Sequence, residues 1–258
     1  MSRSARILLV GFGTTAFLIC AVLTKRPAPA WSGTQLSGQA DPPHVVFTVC
    51  ENEYDAARTV PEFAAGLRKS LGYRTTVLLG NAERTHIPGL DALNHADLLV
   101  MFIRRATLPP EELNVFKAYF DRGGAVVAIR TSSHAFQNWL EFDRIVLGGN
   151  YHGHYPRSER PTRVYVLPDR AAHPILQGVP REFTSKGTLY KTSPLASDAH
   201  VLLMGKFLDN PPEPVAWVRT YKGGRIFYTS LGHPDDFQHA AFRRLLTNAI
   251  RWALGQLE

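Results

Sequence analysis

The chain has 258 residues, of which 45% are hydrophobic and 20% charged, the composition of an ordinary globular protein built as one large domain. Its formal net charge of +7 overstates the basicity of the folded part: four of the 29 basic residues and none of the 22 acidic ones lie in residues 1–30, which leaves 25 against 22, a net of +3. Nucleic-acid binding calls for a clustered basic face and is set aside on that ground. A disulfide-stapled fold is excluded because Cys50 is the only cysteine beyond the first 30 residues.

Arg3 and Arg6 precede Ile7–Leu23, a run that is apolar apart from Gly11, Gly13, Thr14, Thr15 and Cys20. With Ala28-Pro29-Ala30 as an A-x-A-like cleavage site, residues 1–30 read as an export signal. The run falls slightly short of the ~20 residues that span a bilayer, and Lys25-Arg26 intervenes before the cleavage site. Cleavage and retention of residues 7–23 as a membrane anchor therefore both stay open. Either outcome places the protein in the periplasm or another extracytoplasmic space. Residues 31–43 are a polar linker, and a single domain is expected over 44–255.

Within that domain His44–Cys50 is a β-rich apolar run. A helix follows, with Val60, Phe63, Ala64, Leu67 and Leu71 on one face and Gly72 as its stop. Tyr73–Leu79 and Asp97–Ile103 are the next strands. Pro109-Pro110-Glu111-Glu112 opens a second helix that closes at Gly123-Gly124, ahead of the strand Ala125–Ile129. This alternation predicts an α/β fold, a mostly parallel sheet with helices on both faces. A short helical stretch is expected over Phe136–Leu147 and a Gly-rich loop over Gly148–Pro156. Thr162–Leu167 and Val201–Lys206 read as strands, Val215–Tyr221 and Arg225–Ser230 as a hairpin, and Phe237–Leu254 as a last helix ending at Gly255.

In open α/β sheets ligands bind outside the carboxyl ends of the strands. Four strands here end in polar clusters: Glu51, Glu53 and Tyr54; Arg104 and Arg105; Arg130, Ser132, Ser133 and His134; His233, Asp235 and Asp236. The layout of Ala125–His134 is that of a nucleophile elbow, a sharp strand-to-helix turn presenting one side chain, with Arg130 where a nucleophile would stand. Tyr151, His152, His154 and Tyr190 add aromatic and imidazole groups. His152-x-His154 with His233 raises a metal-dependent hydrolase as an alternative, although the pattern lacks the thiolates and orienting partners of known metal sites. No metal and no cofactor is expected. Cys50 reads as a small buried hydrophobe.

The segments GGAVVAIRTSSHAF, LGGNYHGHYP, AAHPILQGVP and PVAWVRTYKGGRIFYTSLGHPDDF resemble the ThuA-like (trehalose-utilisation) family, over about His44 to Gly255. The resemblance implies a flavodoxin-like fold similar to class I glutamine amidotransferases, whose elbow carries a nucleophilic Cys. Arg130 at that position argues against glutaminase chemistry. Thr188-Leu189-Tyr190 stands where the family usually has Glu-Leu-Tyr. The family's link to disaccharide use implies a sugar or an oxidised (3-keto) sugar as the ligand. An acidic α-hydrogen in such a ligand needs one base and one group to hold the oxyanion. His134 and His233 are the expected acid–base pair, titrating near the ordinary histidine value of ~6.5, with Arg130 on the oxyanion. Glu51, Glu53, Tyr54, Arg104, Ser132, Ser133, Tyr151, His152, His154, Tyr190 and Asp235 are the expected sugar-binding residues. A non-catalytic carbohydrate-binding module on the same scaffold is the alternative.

Overall fold

A computed structural model describes residues 41–258. Residues 1–30, expected to be an export signal, and residues 31–40 of the expected linker lie outside the described residues. No helix among those described is long and apolar enough to cross a membrane.

Strand β1 (His44–Cys50) leads through α1 (Ala56–Leu71) to β2 (Arg74–Leu79), and β3 (Leu98–Ile103) leads through α2 (Pro110–Asp121) to β4 (Ala125–Ile129). Five strands follow: β5 (Thr162–Val166), β6 (Glu182–Ser185), β7 (His200–Lys206), β8 (Glu213–Tyr221) and β9 (Gly224–Thr229). The chain closes with α3 (Ala240–Ala253). All nine strands form one sheet in the order β2-β1-β3-β4-β9-β8-β7-β5-β6.

The expectation of a mostly parallel sheet needs correction. β2, β1, β3, β4 and β9 pair in parallel, whereas β9, β8, β7, β5 and β6 pair antiparallel, so the sheet is mixed in two equal halves. The cause is in the connections. Parallel neighbours need a crossover of a dozen or more residues, usually a helix, and no α-helix lies between β5 and β9. Instead β8 turns directly into β9 through Lys222-Gly223.

Side chains alternate across β1: Val45, Phe47 and Val49 enter one core, and Val46 and Cys50 the other. The first core is closed by Val60, Ala64 and Leu67 of α1 with Leu245, Leu246 and Ala249 of α3; the second by Phe116 and Phe120 of α2. Both faces of the sheet are therefore covered, as expected of parallel strands. Phe136–Leu147 forms only one π-type turn, Asp143–Leu147, rather than a short helix. Its Phe136, Trp139 and Phe142 pack on Phe116 and Phe120 in the second core. The last helix begins later than the pattern suggests, because Pro234–Gln238 is a separate 3-10 turn capped by His233.

At the amino ends of β4 and β9 the two backbones touch. A Cβ on Gly224 would stand 2.5 Å from Gly123 O and 2.6 Å from Gly124 O, so no side chain fits there. From that contact the strands run in register, Val126 beside Ile226 through Ile129 beside Thr229.

Candidate functional site

The carboxyl ends of β1, β3, β4 and β9 share one edge of the sheet, because all four are parallel. Three successive antiparallel steps from β9 to β5 and one more to β6 bring β6 back to the sense of β9, so its carboxyl end reaches the same edge. Asp55 (φ 53), Arg105 (φ 47) and Arg130 (φ 46) stand there, three of the six described non-glycine residues in the left-handed region. Such backbone costs about 1–3 kcal/mol per residue and clusters at functional sites.

Arg130 occupies the tip of the elbow, yet its side chain turns inward and is 1% exposed. Nη1 donates to Ser230 O at 2.6 Å, and Nη2 donates to Tyr54 Oη and Thr188 Oγ1, both at 3.2 Å. The guanidinium lies 4.3 Å from the Tyr54 ring centre and 4.8 Å from that of Tyr190, a cation between two aromatic faces. Gly187 makes the room, since a Cβ there would lie 2.6 Å from Nη1. Burial opposes the charge, but Tyr190, Tyr54 and Asp236 more than offset it, so Arg130 holds its proton more tightly than an ordinary arginine.

His134 stacks on Tyr151 with ring centres 4.3 Å apart and lies 6.0 Å from Tyr190. Its Nδ1 is 3.2 Å from Ser133 Oγ, and that hydroxyl donates to Arg130 O at 3.4 Å. Ser133 having given its proton away, it accepts from Nδ1–H, which leaves the lone pair on Nε2. The expectation that His134 titrates near its ordinary value is overturned. Burial, with Arg105, Arg104 and Arg130 nearby, pushes it down to about 3, and the ring is neutral at pH 7. A cavity of about 410 Å³ opens beside it, lined by Ser133, Trp139, Asp143, Asn150 and Tyr151 among others. That volume suits a small organic ligand.

His233 has the opposite tautomer. Its Nδ1 accepts the Asp235 N–H at 3.2 Å, so the ring proton of the neutral form sits on Nε2. Burial lowers its pKa against the pull of Asp236 and Asp235. Its ring centre is 6.5 Å from that of Tyr54. His233 and His134 thus flank the Tyr54–Arg130–Tyr190 stack, each beside one of its aromatic rings.

The other predicted residues divide into exposed, half-spent and fully spent groups. The Glu51 carboxylate accepts the backbone N–H groups of Glu53, Tyr54 and Ala56, and so shapes the turn into α1. Ser132 accepts from Ile103 N and donates to Met101 O, tying β4 to β3 from a fully buried position. Glu53 pairs with Arg104 at 2.8 Å and with Arg157, and Asp235 pairs with Lys186 at 2.7 Å. His154 forms a β-bridge with Tyr190, while the exposed His152 turns its Nδ1 to Asn150 O. Among the described residues no three His, Cys, Asp or Glu side chains are grouped to hold a metal ion, so His152, His154 and His233 do not form one. Cys50 is a buried free thiol, raised to about 11 mainly by burial.

Two carboxylates stand outside the expected site residues: Asp236, which the strand-end cluster included without a role, and Asp143, which the sequence did not single out. Asp236 Oδ2 accepts from Gly232 N, His233 N and Ser185 Oγ at 2.8–3.0 Å, fastening β6 to the turn after β9. Ser185 Oγ in turn accepts Gly187 N–H, at the wall beside Arg130. Asp143 lies beneath the roof loop: Oδ2 accepts Tyr151 N–H at 2.8 Å, and Oδ1 is buried without a partner. Burial raises it to about 7. An acid between Phe142 and Val146-Leu147, ahead of Gly148-Gly149, was the available signal.

The family model for trehalose utilisation, ThuA, matches residues 46–253, and the chain belongs to that family. Two solved structures described as putative ThuA-like proteins share the fold. The one from Bacteroides uniformis is 21% identical with a TM-score of 0.65, covering 84% of this chain and 94% of that one. The one from Parabacteroides merdae is 18% identical with a TM-score of 0.64, covering 84% and 91%. A β-galactosidase from Rahnella sp. R3 carries a similar fold in part of its length, with 14% identity, a TM-score of 0.55, and coverage of 84% of this chain but 32% of that one. Among curated proteins none matches.

Proposed function

We propose that this ThuA-family chain is an exported protein that binds a sugar or oxidised (3-keto) sugar at the shared carboxyl edge and moves a proton α to its carbonyl. The observation that carries the reading is the pair of histidines on either side of Arg130, with His134 Nδ1 against Ser133 Oγ and His233 Nδ1 accepting the Asp235 N–H, contacts that assign them opposed tautomers. His134 offers an Nε2 lone pair to the α-hydrogen. His233 offers Nε2–H to the carbonyl oxygen as it gains negative charge. Arg130, with Nη1 and Nη2 engaged below, acts through its charge. The tyrosines at positions 54, 151 and 190 supply aromatic surface for a sugar ring. The parallel half has the 2-1-3-4 strand order of a doubly wound, flavodoxin-like sheet, which supports reading the scaffold as amidotransferase-like. An arginine at the elbow fits a reaction with no covalent nucleophile. Export rests on Arg3, Arg6 and Ile7–Leu23.

The test is exchange of the α-hydrogens of a 3-keto disaccharide in deuterated water, followed by NMR. The parent should exchange them, and His134→Ala and His233→Ala should each lose 10²-fold or more, the usual range for removing an acid–base group, with melting curves that show folded protein. Saturable binding with no exchange in the parent would replace the enzyme by a carbohydrate-binding module. That second reading draws on the burial of Arg130, which leaves no reactive atom at the elbow tip.

A further inference from the structure

Helices α1 and α3 cover the same face of the sheet but leave a groove of about 460 Å³ between them. Phe63 and Leu67 of α1 and Phe237, just ahead of α3, give it an apolar floor, with the rings of Phe63 and Phe237 edge to face at 6.3 Å. Gly66 keeps the groove open. It stands exposed inside α1, where glycine destabilises a helix relative to alanine. Its backbone is not left-handed, and a Cβ there would meet nothing within 4 Å. Neither the backbone nor the packing calls for a glycine; what the position supplies is empty space.

One wall of the groove is cationic. Arg243 and Arg244 line it from α3, a helix with three arginines and no acidic residue. Both are exposed and form no ion pair among the described residues, and Arg243 lends only Nη1 to Phe237 O at 3.3 Å. Glu62, the one carboxylate of the lining, is already held by Arg58 through both oxygens, at 3.2 and 3.1 Å. An apolar floor beneath a cationic wall complements an apolar chain that ends in an anion.

We infer that this groove binds an amphiphilic monocarboxylate of the fatty-acid type, its chain on Phe63, Leu67 and Phe237 and its carboxylate on Arg243 and Arg244. The α1 side of the groove runs from Thr59 to Ser70, about 16 Å at 1.5 Å per residue, which sets a chain of medium length. The groove shares no residue with the cavity beside His134, so the inference stands apart from the sugar reading.

The experiment titrates the full chain with dodecanoate, and with acetate and dodecyltrimethylammonium as controls. All are kept below micelle-forming concentrations and followed by calorimetry and thermal melting at fixed pH and ionic strength. Dodecanoate should bind at least ten-fold more tightly than either control. The double variant Arg243→Gln, Arg244→Gln should lower that affinity ten-fold or more. Gly66→Leu, which fills the groove and improves the helix, should abolish binding while raising the melting temperature. Equal binding of the cationic amphiphile would overturn the role of the arginines, and an acetate shift as large as that of dodecanoate would overturn the role of the floor. Dodecanoate binding that survives both variants belongs elsewhere on the chain and overturns the inference, as does no binding at all. The two arginines are surface residues, so their variant decides the matter even where Gly66→Leu fails to fold.

Discussion

The two halves of the sheet differ in what their loops can do. Each strand of the parallel half must return through a covered face, so β1, β3, β4 and β9 all discharge their polar ends at one edge. The antiparallel half returns without α-helices and sends the Gly187–Tyr190 wall to that edge, where it meets the Tyr151 loop that leads into β5. One half thus supplies the groups with chemistry, and the other supplies the enclosure. The lesson is that enclosure hangs on few bonds, and chemistry on the core.

The largest effect is expected from the parallel half. Ile129 is 1% exposed between β3 and β9, and Ile129→Asp buries an unpaired charge that costs several kcal/mol, on the order of the whole stability of a domain. The variant should be insoluble or lack a cooperative melt. A soluble variant that melts cooperatively would contradict the central place of β4.

A smaller effect, and one that separates the two halves by pH, comes from Asp143 and His134. The folded-state pKa of Asp143 is raised to about 7, so the stability it contributes is full below its unfolded value near 4 and is lost as pH rises to 7. Asp143→Asn should therefore gain on the parent from pH 5 to pH 8, by about 2–3 kcal/mol at 1.36 kcal/mol per unit. His134 has the opposite sign. Lowered to about 3, it contributes stability that is full above ~6.5 and lost as pH falls toward 3. His134→Phe should gain on the parent only on the acid side. Parallel stability curves for parent and variants across pH 4–8 would show that neither group is buried as described.

The smallest effect probes the enclosure. Ser185→Ala removes the hydroxyl that joins Asp236 to Gly187 and should cost about 1–2 kcal/mol, leaving the fold intact. Amide exchange at Gly187 should quicken while that of β4 stays slow. Equal quickening in both would mean that the halves unfold as one unit.

Much of the parallel half was legible because its signals are local. Apolar runs of strand length, Gly stops and a Pro-Glu-Glu helix start each act within a few residues, and α1, α2 and β4 follow them. β6 was not legible: it has four residues, only Phe183 is a large apolar one, and it exists by pairing with β5. The strand-end clusters were visible, but their fates depend on partners far along the chain. Nothing near Arg130 announces that Tyr54, Thr188, Tyr190 and Ser230 would enclose it. Ser132 and Ser133 look alike in sequence, yet one faces β3 and the other His134.

The backbone contact of Gly123 and Gly124 with Gly224 acts as a ruler. It sets a common zero for β4 and β9, and each then counts the same number of residues to the edge, where Arg130 meets Ser230 O. A single residue added to or removed from either strand would turn every side chain beyond it to the opposite face. Point changes along these strands can be absorbed by repacking. Changes of length cannot, unless both strands change together, so insertions in this chain are expected to accumulate at the far ends of the sheet and in its loops, never between the two glycine turns and the elbow.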